Sequence, residues 1–132
     1  MLNVLVVDDS PFMARAMKGM LESMEFNVVS LAHDGYEGFQ KFEELRPDVV
    51  VLDITMPNMD GLECLVKIRQ LDGDARIVML SAVRDEETVA KCLASGAAAF
   101  LQKPICKTNP DDLAMLKSTI ETAAHTKCPT KC

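Results

Sequence analysis

Apolar runs alternate with amphipathic segments along the whole chain. Five short runs resemble strands, and they cover residues 2–7, 27–32, 49–52, 76–80 and 98–101. Several of these runs are continuously apolar, which is typical of strands buried on both faces of a parallel sheet. The pattern therefore predicts an α/β protein in which helices cover both faces of the sheet.

Five segments between and after these runs have the apolar spacing of helices. Ser10, Asp34 and Asn109 are the expected N-caps of the first, second and fifth helices. The first helix begins at Pro11, and the others are predicted from Gly35 to about Leu45, from Gly61 to Gln70, from Asp85 to Ser95 and from Pro110 to about Ala124. Five βα units joined by right-handed crossovers predict a doubly wound (βα)5 sheet.

Length, composition and charge narrow the class of protein. The 132 residues, of which 48% are apolar, fit one domain over residues 1–124 followed by a disordered tail over residues 125–132. The net charge of −6 argues against direct nucleic-acid binding, which needs clustered Lys and Arg. No apolar stretch approaches the roughly 18 residues of a membrane span, and the N-terminus does not resemble a signal peptide. We therefore expect a cytoplasmic protein that does not enter a membrane.

Three carboxylates follow apolar runs at the predicted carboxyl edge of the sheet. Asp8 and Asp9 follow the first run, and Asp53 follows the third. Ligands of open α/β sheets bind at this edge. Converging carboxylates repel each other unless a hard cation or a proton lies among them. The pattern predicts a phosphoryl-transfer site in which Asp9, Asp53 and, through water, Asp8 hold Mg²⁺ (or Mn²⁺) and Asp53 accepts the phosphoryl group.

Two more polar residues follow the fourth and fifth apolar runs. The Ser81 hydroxyl can donate to a phosphoryl oxygen, and the Lys103 ammonium can neutralise charge in a loose transition state. Taken singly, such a serine is most often a loop residue and such a lysine a surface residue. Their placement at strand ends beside the three aspartates favours a single site.

This ordered set of motifs resembles the receiver domain of bacterial two-component response regulators. The matching stretches are Asp8-Asp9, the segment from Asp53 to Gly61, Ser81-Ala82 and Lys103-Pro104. The resemblance is close over residues 2–105 and looser over the last helix. It implies a flavodoxin-like fold with five parallel strands in the order 2-1-3-4-5. It also implies a histidine kinase or phosphotransfer protein as the phosphoryl donor.

The resemblance implies further roles for single residues and surfaces. The backbone carbonyl of Thr55 ligates the metal, and Ser81 and Phe100 form a switch that responds to phosphorylation. A downstream protein, or a second copy of the chain, then binds the face built from the helix between Asp85 and Ser95, the strand with Phe100, and the helix between Asp111 and Ala124. We therefore expect a monomer or a phosphorylation-dependent dimer.

The implied protein is a signalling phosphoacceptor, and the only catalysis expected of it is its own phosphorylation and dephosphorylation. It resembles single-domain, chemotaxis-type receivers, or it is the receiver part of a longer protein.

The alternative is a small-molecule phosphatase of the haloacid dehalogenase type. Those enzymes also combine an Asp nucleophile, Mg²⁺, a Ser or Thr and a Lys at strand ends. Their nucleophile belongs to an Asp-x-Asp motif on the first strand of the motif set, whereas Asp53 follows the third run here. The chain also has no insertion that could form a substrate-holding cap. Turnover of a generic phosphate ester distinguishes the two functions.

Overall fold

The computed structural model describes residues 2–54, 61–81, 86–102 and 109–125. Within these ranges five strands and five helices alternate along the chain. The strands are β1 (Asn3–Val7), β2 (Asn27–Ala32), β3 (Val49–Asp53), β4 (Ile77–Ser81) and β5 (Ala99–Gln102). The helices are α1 (Pro11–Ser23), α2 (Gly35–Leu45), α3 (Gly61–Leu71), α4 (Glu86–Ala94) and α5 (Pro110–His125).

The strands form one parallel sheet in the order β2-β1-β3-β4-β5. The central strand, β3, is flanked by β1 and β4, with Val7 opposite Leu52 on one side and Leu80 opposite Asp53 on the other. The predicted flavodoxin-like order is therefore confirmed. Because all five strands are parallel, their C-terminal ends share one side of the sheet, which we call the carboxyl edge.

Successive strand residues are buried in two apolar clusters on opposite faces of the sheet. Val4, Val6 and Val51 belong to the cluster beneath α1 and α5, whereas Leu5 and Leu52 belong to the cluster beneath α2, α3 and α4. None of these five side chains is more than 1% exposed. Burial on both faces removes the usual alternation of polar and apolar residues. It accounts for the continuous apolar runs in the sequence.

Three side-chain caps hold the starts of helices at the carboxyl edge. The Ser10 hydroxyl accepts an N–H of the first turn of α1 at 3.3 Å, and the Asp34 carboxylate does the same for α2 at 2.8 Å. The amide oxygen of Asn109 accepts an N–H of the first turn of α5 at 2.9 Å. These bonds satisfy N–H groups that have no partner within the helix. The three predicted caps are confirmed.

Several elements end one residue away from the predicted position. β3 and β4 include Asp53 and Ser81 as their last residues, because the bonding between strands continues past the apolar runs. The Ile54 N–H, for example, donates to the Leu80 carbonyl at 3.0 Å. Helix α4 ends at Ala94, before the predicted Ser95. Helix α5 extends through His125, one residue past its predicted end at about Ala124.

Some predicted features lie outside the described residues. They are Thr55, Asp85, Lys103, Pro104, residues 105–108 and residues 126–132. Over the residues that are described, no helix combines the length and the apolar character needed to span a membrane.

Candidate functional site

Asp8, Asp9 and Asp53 meet at the carboxyl edge of the sheet. One carboxylate oxygen from each residue lies within 4.8 Å of those of the other two. Asp8 directly follows β1 and Asp53 ends β3, and these two strands are hydrogen-bonded neighbours. The predicted convergence of the three aspartates is confirmed.

The environment of this carboxylate cluster suits a hard cation. Asp8 and Asp53 are only 5% and 6% exposed, whereas Asp9 is exposed to solvent. Burial removes water from the two inner carboxylates, and three negative charges at this spacing repel each other. A divalent cation among them offsets both costs, and carboxylate oxygens are the ligands that Mg²⁺ and Mn²⁺ prefer. The donor set therefore fits the predicted Mg²⁺ (or Mn²⁺) ion.

Asp8 is held in place through both its backbone and its side chain. Its N–H donates to the Ala32 carbonyl at 2.9 Å, and one of its carboxylate oxygens accepts the Ser10 N–H at 3.0 Å. Nδ1 of His33 lies 3.2 Å from the Asp8 carbonyl oxygen. Because Ser10 also caps α1, one short turn sets both the orientation of Asp8 and the start of that helix.

The backbone at Asp53 is held from two sides. On one side Asp53 pairs with Leu80 of β4, and the next residue, Ile54, donates its N–H to the Leu80 carbonyl. On the other side the N–H of Gly61, the first residue of α3, donates to the Ile54 carbonyl at 2.7 Å. The position of the Asp53 carboxylate therefore depends on the seating of α3 as well as on the sheet.

Ser81 and Phe100 lie on the same face of the sheet. Met79 pairs with Phe100 in the β4–β5 ladder, and side chains alternate between faces along a strand. Ser81 therefore shares a face with Met79 and so with Phe100. Ser81 is 7% exposed at the carboxyl edge, and the half-buried Phe100 packs against the cluster beneath α2, α3 and α4. The two residues of the predicted switch thus lie on one face of the sheet, on adjacent strands.

Not every functional residue proposed from the sequence is described. The structure brings together Asp8, Asp9 and Asp53, and it places Ser81 at the same edge. Lys103 and Thr55 lie outside the described residues, so their roles remain predictions. The sequence did not assign a role to Gly61, which contacts the backbone of Asp53.

Several curated sequences similar to this chain are named chemotaxis protein CheY. The chemotaxis protein CheY of Listeria monocytogenes is 42% identical over 104 residues, which are 79% of this chain and 87% of that protein. The chemotaxis protein CheY of Bacillus subtilis is also 42% identical, over 101 residues, covering 76% of this chain and 84% of that protein.

Solved structures and a family model agree with these relatives. The chain resembles a structure described as the CheX-CheY-BeF3-Mg+2 complex from Borrelia burgdorferi, with a TM-score of 0.85, 37% identity and coverage of 96% of this chain and 90% of that one. It also resembles the response regulator domain of Thermotoga maritima CheB, with a TM-score of 0.86, 34% identity and coverage of 96% and 98%. The family model for the response regulator receiver domain matches residues 4–115. The chain therefore belongs to the response regulator receiver domain family, whose members are the phosphoacceptors of two-component signalling.

Proposed function

We propose that Asp53 is the phosphoryl acceptor of this receiver domain. The observation that carries the proposal is the position of Asp53 as the buried last residue of the central strand, within 4.8 Å of Asp8 and Asp9 through their carboxylate oxygens. Carboxylates act as nucleophiles in other phosphoryl-transfer proteins. No similarity found for this chain supports the haloacid dehalogenase alternative.

In the proposed reaction a carboxylate oxygen of Asp53 forms a bond to phosphorus while the bond from phosphorus to the donor's leaving group breaks. Asp53 reacts as the ionised carboxylate, so it has no proton to lose. Asp8, Asp9, Asp53 and the Thr55 carbonyl would hold Mg²⁺, which when bound offsets negative charge on the phosphoryl oxygens. Ser81 and Lys103 would donate hydrogen bonds to those oxygens.

Acetyl phosphate, a small phosphoryl donor, tests this function directly. In the presence of Mg²⁺ the mass of the intact protein should increase by one phosphoryl group, and a chelator should prevent the increase. A receiver holds a single phosphoryl group, whereas a small-molecule phosphatase releases phosphate from a generic ester such as p-nitrophenyl phosphate over many turnovers. Sustained ester hydrolysis would restore the phosphatase alternative.

Asp9 is the cluster member that can be changed at the least cost to folding, because it is exposed. We expect Asp9→Ala to weaken Mg²⁺ binding by about tenfold or more, since affinity depends on the number of charged ligands. Titration with Mg²⁺ measures this. The matched control is Glu44→Ala, which removes one exposed negative charge from α2. Equal Mg²⁺ affinities of the two variants would remove Asp9 from the metal site.

Ser81 and Phe100 are proposed to carry the signal from the phosphoryl group to a partner surface. A shift of Ser81 toward the phosphoryl group opens space on the sheet face that it shares with Phe100. A packed core tends to switch between two arrangements instead of deforming smoothly. The surface affected is built from α4, β5 and α5.

Hydrogen exchange with and without beryllofluoride, a mimic of aspartyl phosphate, measures this response. We expect beryllofluoride to change exchange over residues 86–102 of the wild type. The Ser81→Ala variant should still bind the mimic, but most of this change in hydrogen exchange should be absent. The reason is that the hydroxyl proposed to donate to the phosphoryl group has been removed. Ser30→Ala, on the outer strand β2, is the control. An unaltered response in Ser81→Ala would contradict the switch.

The proposed partners follow from the relatives. The donor is a histidine kinase or a phosphotransfer protein, and the pathway we propose is chemotaxis, because the relatives are named as chemotaxis proteins. The downstream protein is proposed to bind the surface of α4, β5 and α5. This surface includes Leu93 and Met115, which are 46% and 62% exposed.

A further inference from the structure

Gly61 makes an unusually close backbone contact with Asp53. A Cβ added at Gly61 would lie 2.3 Å from the Asp53 carbonyl oxygen, 2.5 Å from the Ile54 Cα and 2.9 Å from the Asp53 carbonyl carbon. All three are backbone atoms, so no side-chain rotation can relieve the overlap. Among the described glycines, only Gly96 has a positive φ. The requirement at residue 61 is therefore for space and not for an unusual backbone conformation.

The backbone that faces Gly61 cannot easily move away. The Ile54 N–H donates a hydrogen bond to the Leu80 carbonyl of β4, and Asp53 is paired with Leu80 in the ladder between β3 and β4. Movement toward β4 would compress this ladder, and movement away from it would break its bonds. Movement of α3 instead would stretch the 2.7 Å bond from the Gly61 N–H to the Ile54 carbonyl.

We infer that Gly61 is a positioning residue for Asp53, an assignment that rests on the proposed function of Asp53 as acceptor. Because glycine has no side chain, the first turn of α3 packs directly against the backbone of Asp53. This packing fixes the distance from the Asp53 carboxylate to those of Asp8 and Asp9. Relieving a 2.3 Å contact to 3.0 Å requires a shift of at least 0.7 Å (3.0 − 2.3). Displacements of about 1 Å at a reacting group can slow a reaction by about 100-fold.

The test is Gly61→Ala, assayed for the rate of phosphorylation by acetyl phosphate at saturating Mg²⁺ and for Mg²⁺ affinity. We expect the rate to fall by about 10- to 100-fold per folded molecule and Mg²⁺ affinity to weaken, since both depend on the position of the Asp53 carboxylate. A role limited to packing would lower the melting temperature and leave both quantities unchanged in the folded protein. That second result would overturn the assignment.

The chain offers matched controls. Gly19→Ala and Gly73→Ala add the same methyl group where nothing lies within 4 Å, and both should keep the wild-type rate. Ile120→Val trims a fully buried side chain of α5, on the opposite face of the sheet from α3. It should lower stability without slowing phosphorylation, so that a slow rate cannot be attributed to lost stability alone.

If Gly61→Ala impairs folding, the same change is measured in a variant stabilised elsewhere. Gly19 lies inside α1, where Ala stabilises a helix relative to Gly. The Gly61→Ala change would then be measured in the Gly19→Ala protein. If the double variant also failed to fold, Gly61 would be a folding requirement and the positioning role would be rejected.

The two measurements separate this inference from the function on which it rests. If the wild type takes no phosphoryl group at Asp53, the proposed function fails whatever Gly61 does. If the wild type is phosphorylated and Gly61→Ala matches it in rate and in Mg²⁺ affinity, only the positioning role fails.

Discussion

Replacing Asp53 with Asn should abolish phosphoryl uptake from acetyl phosphate in the presence of Mg²⁺. The amide has nearly the shape of the carboxylate but lacks the anionic oxygen that is proposed to attack phosphorus. Asp53 is also one of three carboxylates whose oxygens lie within 4.8 Å of one another, so its neutralisation removes one negative charge from the proposed metal site as well. The mass of the intact variant should therefore stay constant under conditions that add one phosphoryl group to the wild type.

The matched control for this experiment is Asp48→Asn. Asp48 directly precedes β3, at the opposite end of the strand from Asp53, and its carboxylate accepts the Asn3 N–H at 2.7 Å. This variant should take up the phosphoryl group as the wild type does. Thermal melting in chelator provides a second check, because removing one of three repelling charges should make Asp53→Asn at least as stable as the wild type. A phosphoryl label that persists in Asp53→Asn would place the acceptor elsewhere.

Replacing Phe42 with Ala should lower the free energy of unfolding by about 3–5 kcal/mol. Phe42 is 2% exposed and belongs to the cluster beneath α2, α3 and α4, where its loss leaves a cavity. The Arg46 guanidinium lies 5.5 Å from the centre of its ring, and that contact is lost as well. Domains are stable by only about 5–15 kcal/mol, so this loss is a large part of the total. Urea denaturation measures the difference.

Phe12→Ala is the matched control, because it makes the same chemical change at a side chain that is 76% exposed. Its free energy of unfolding should change by no more than about 0.5 kcal/mol. Similar losses in the two variants would mean that Phe42 is not a core residue in solution.

The fold was predictable because its main determinant is local in sequence. Five apolar runs separated by capped helical segments leave few arrangements other than a doubly wound parallel sheet. The residues at which the strands end were harder to predict from the sequence. Asp53 and Ser81 are polar, so hydropathy predicts that each strand ends one residue earlier. The backbone hydrogen bonds of the sheet nevertheless include both residues. Bonding between strands depends on the neighbouring strand, which hydropathy along one segment does not reveal.

The candidate site was predictable to the extent that it lies at strand ends. Acids that directly follow buried strands must converge when the strands are parallel neighbours, and Asp8 and Asp53 do so. The contacts of His33 and Gly61 were not visible in this way. His33, directly after β2, lies beside the Asp8 carbonyl, and Gly61 contacts the Asp53 backbone from α3. Such contacts depend on distances between separate segments, for which the sequence contains no periodic signal.

The ladder between β1 and β3 has a practical consequence for refolding studies. Val7 lies opposite Leu52, and the carboxylates of Asp8 and Asp53 follow directly from this register. A slip of one residue would move one carboxylate by about 3.3 Å along the sheet and turn it to the other face. A slipped sheet would keep its strand content and much of its circular dichroism, but the three carboxylates of the proposed cation site would no longer meet. If the proposed site binds Mg²⁺, its affinity would report correct strand alignment in refolded or redesigned forms of this domain, independently of circular dichroism.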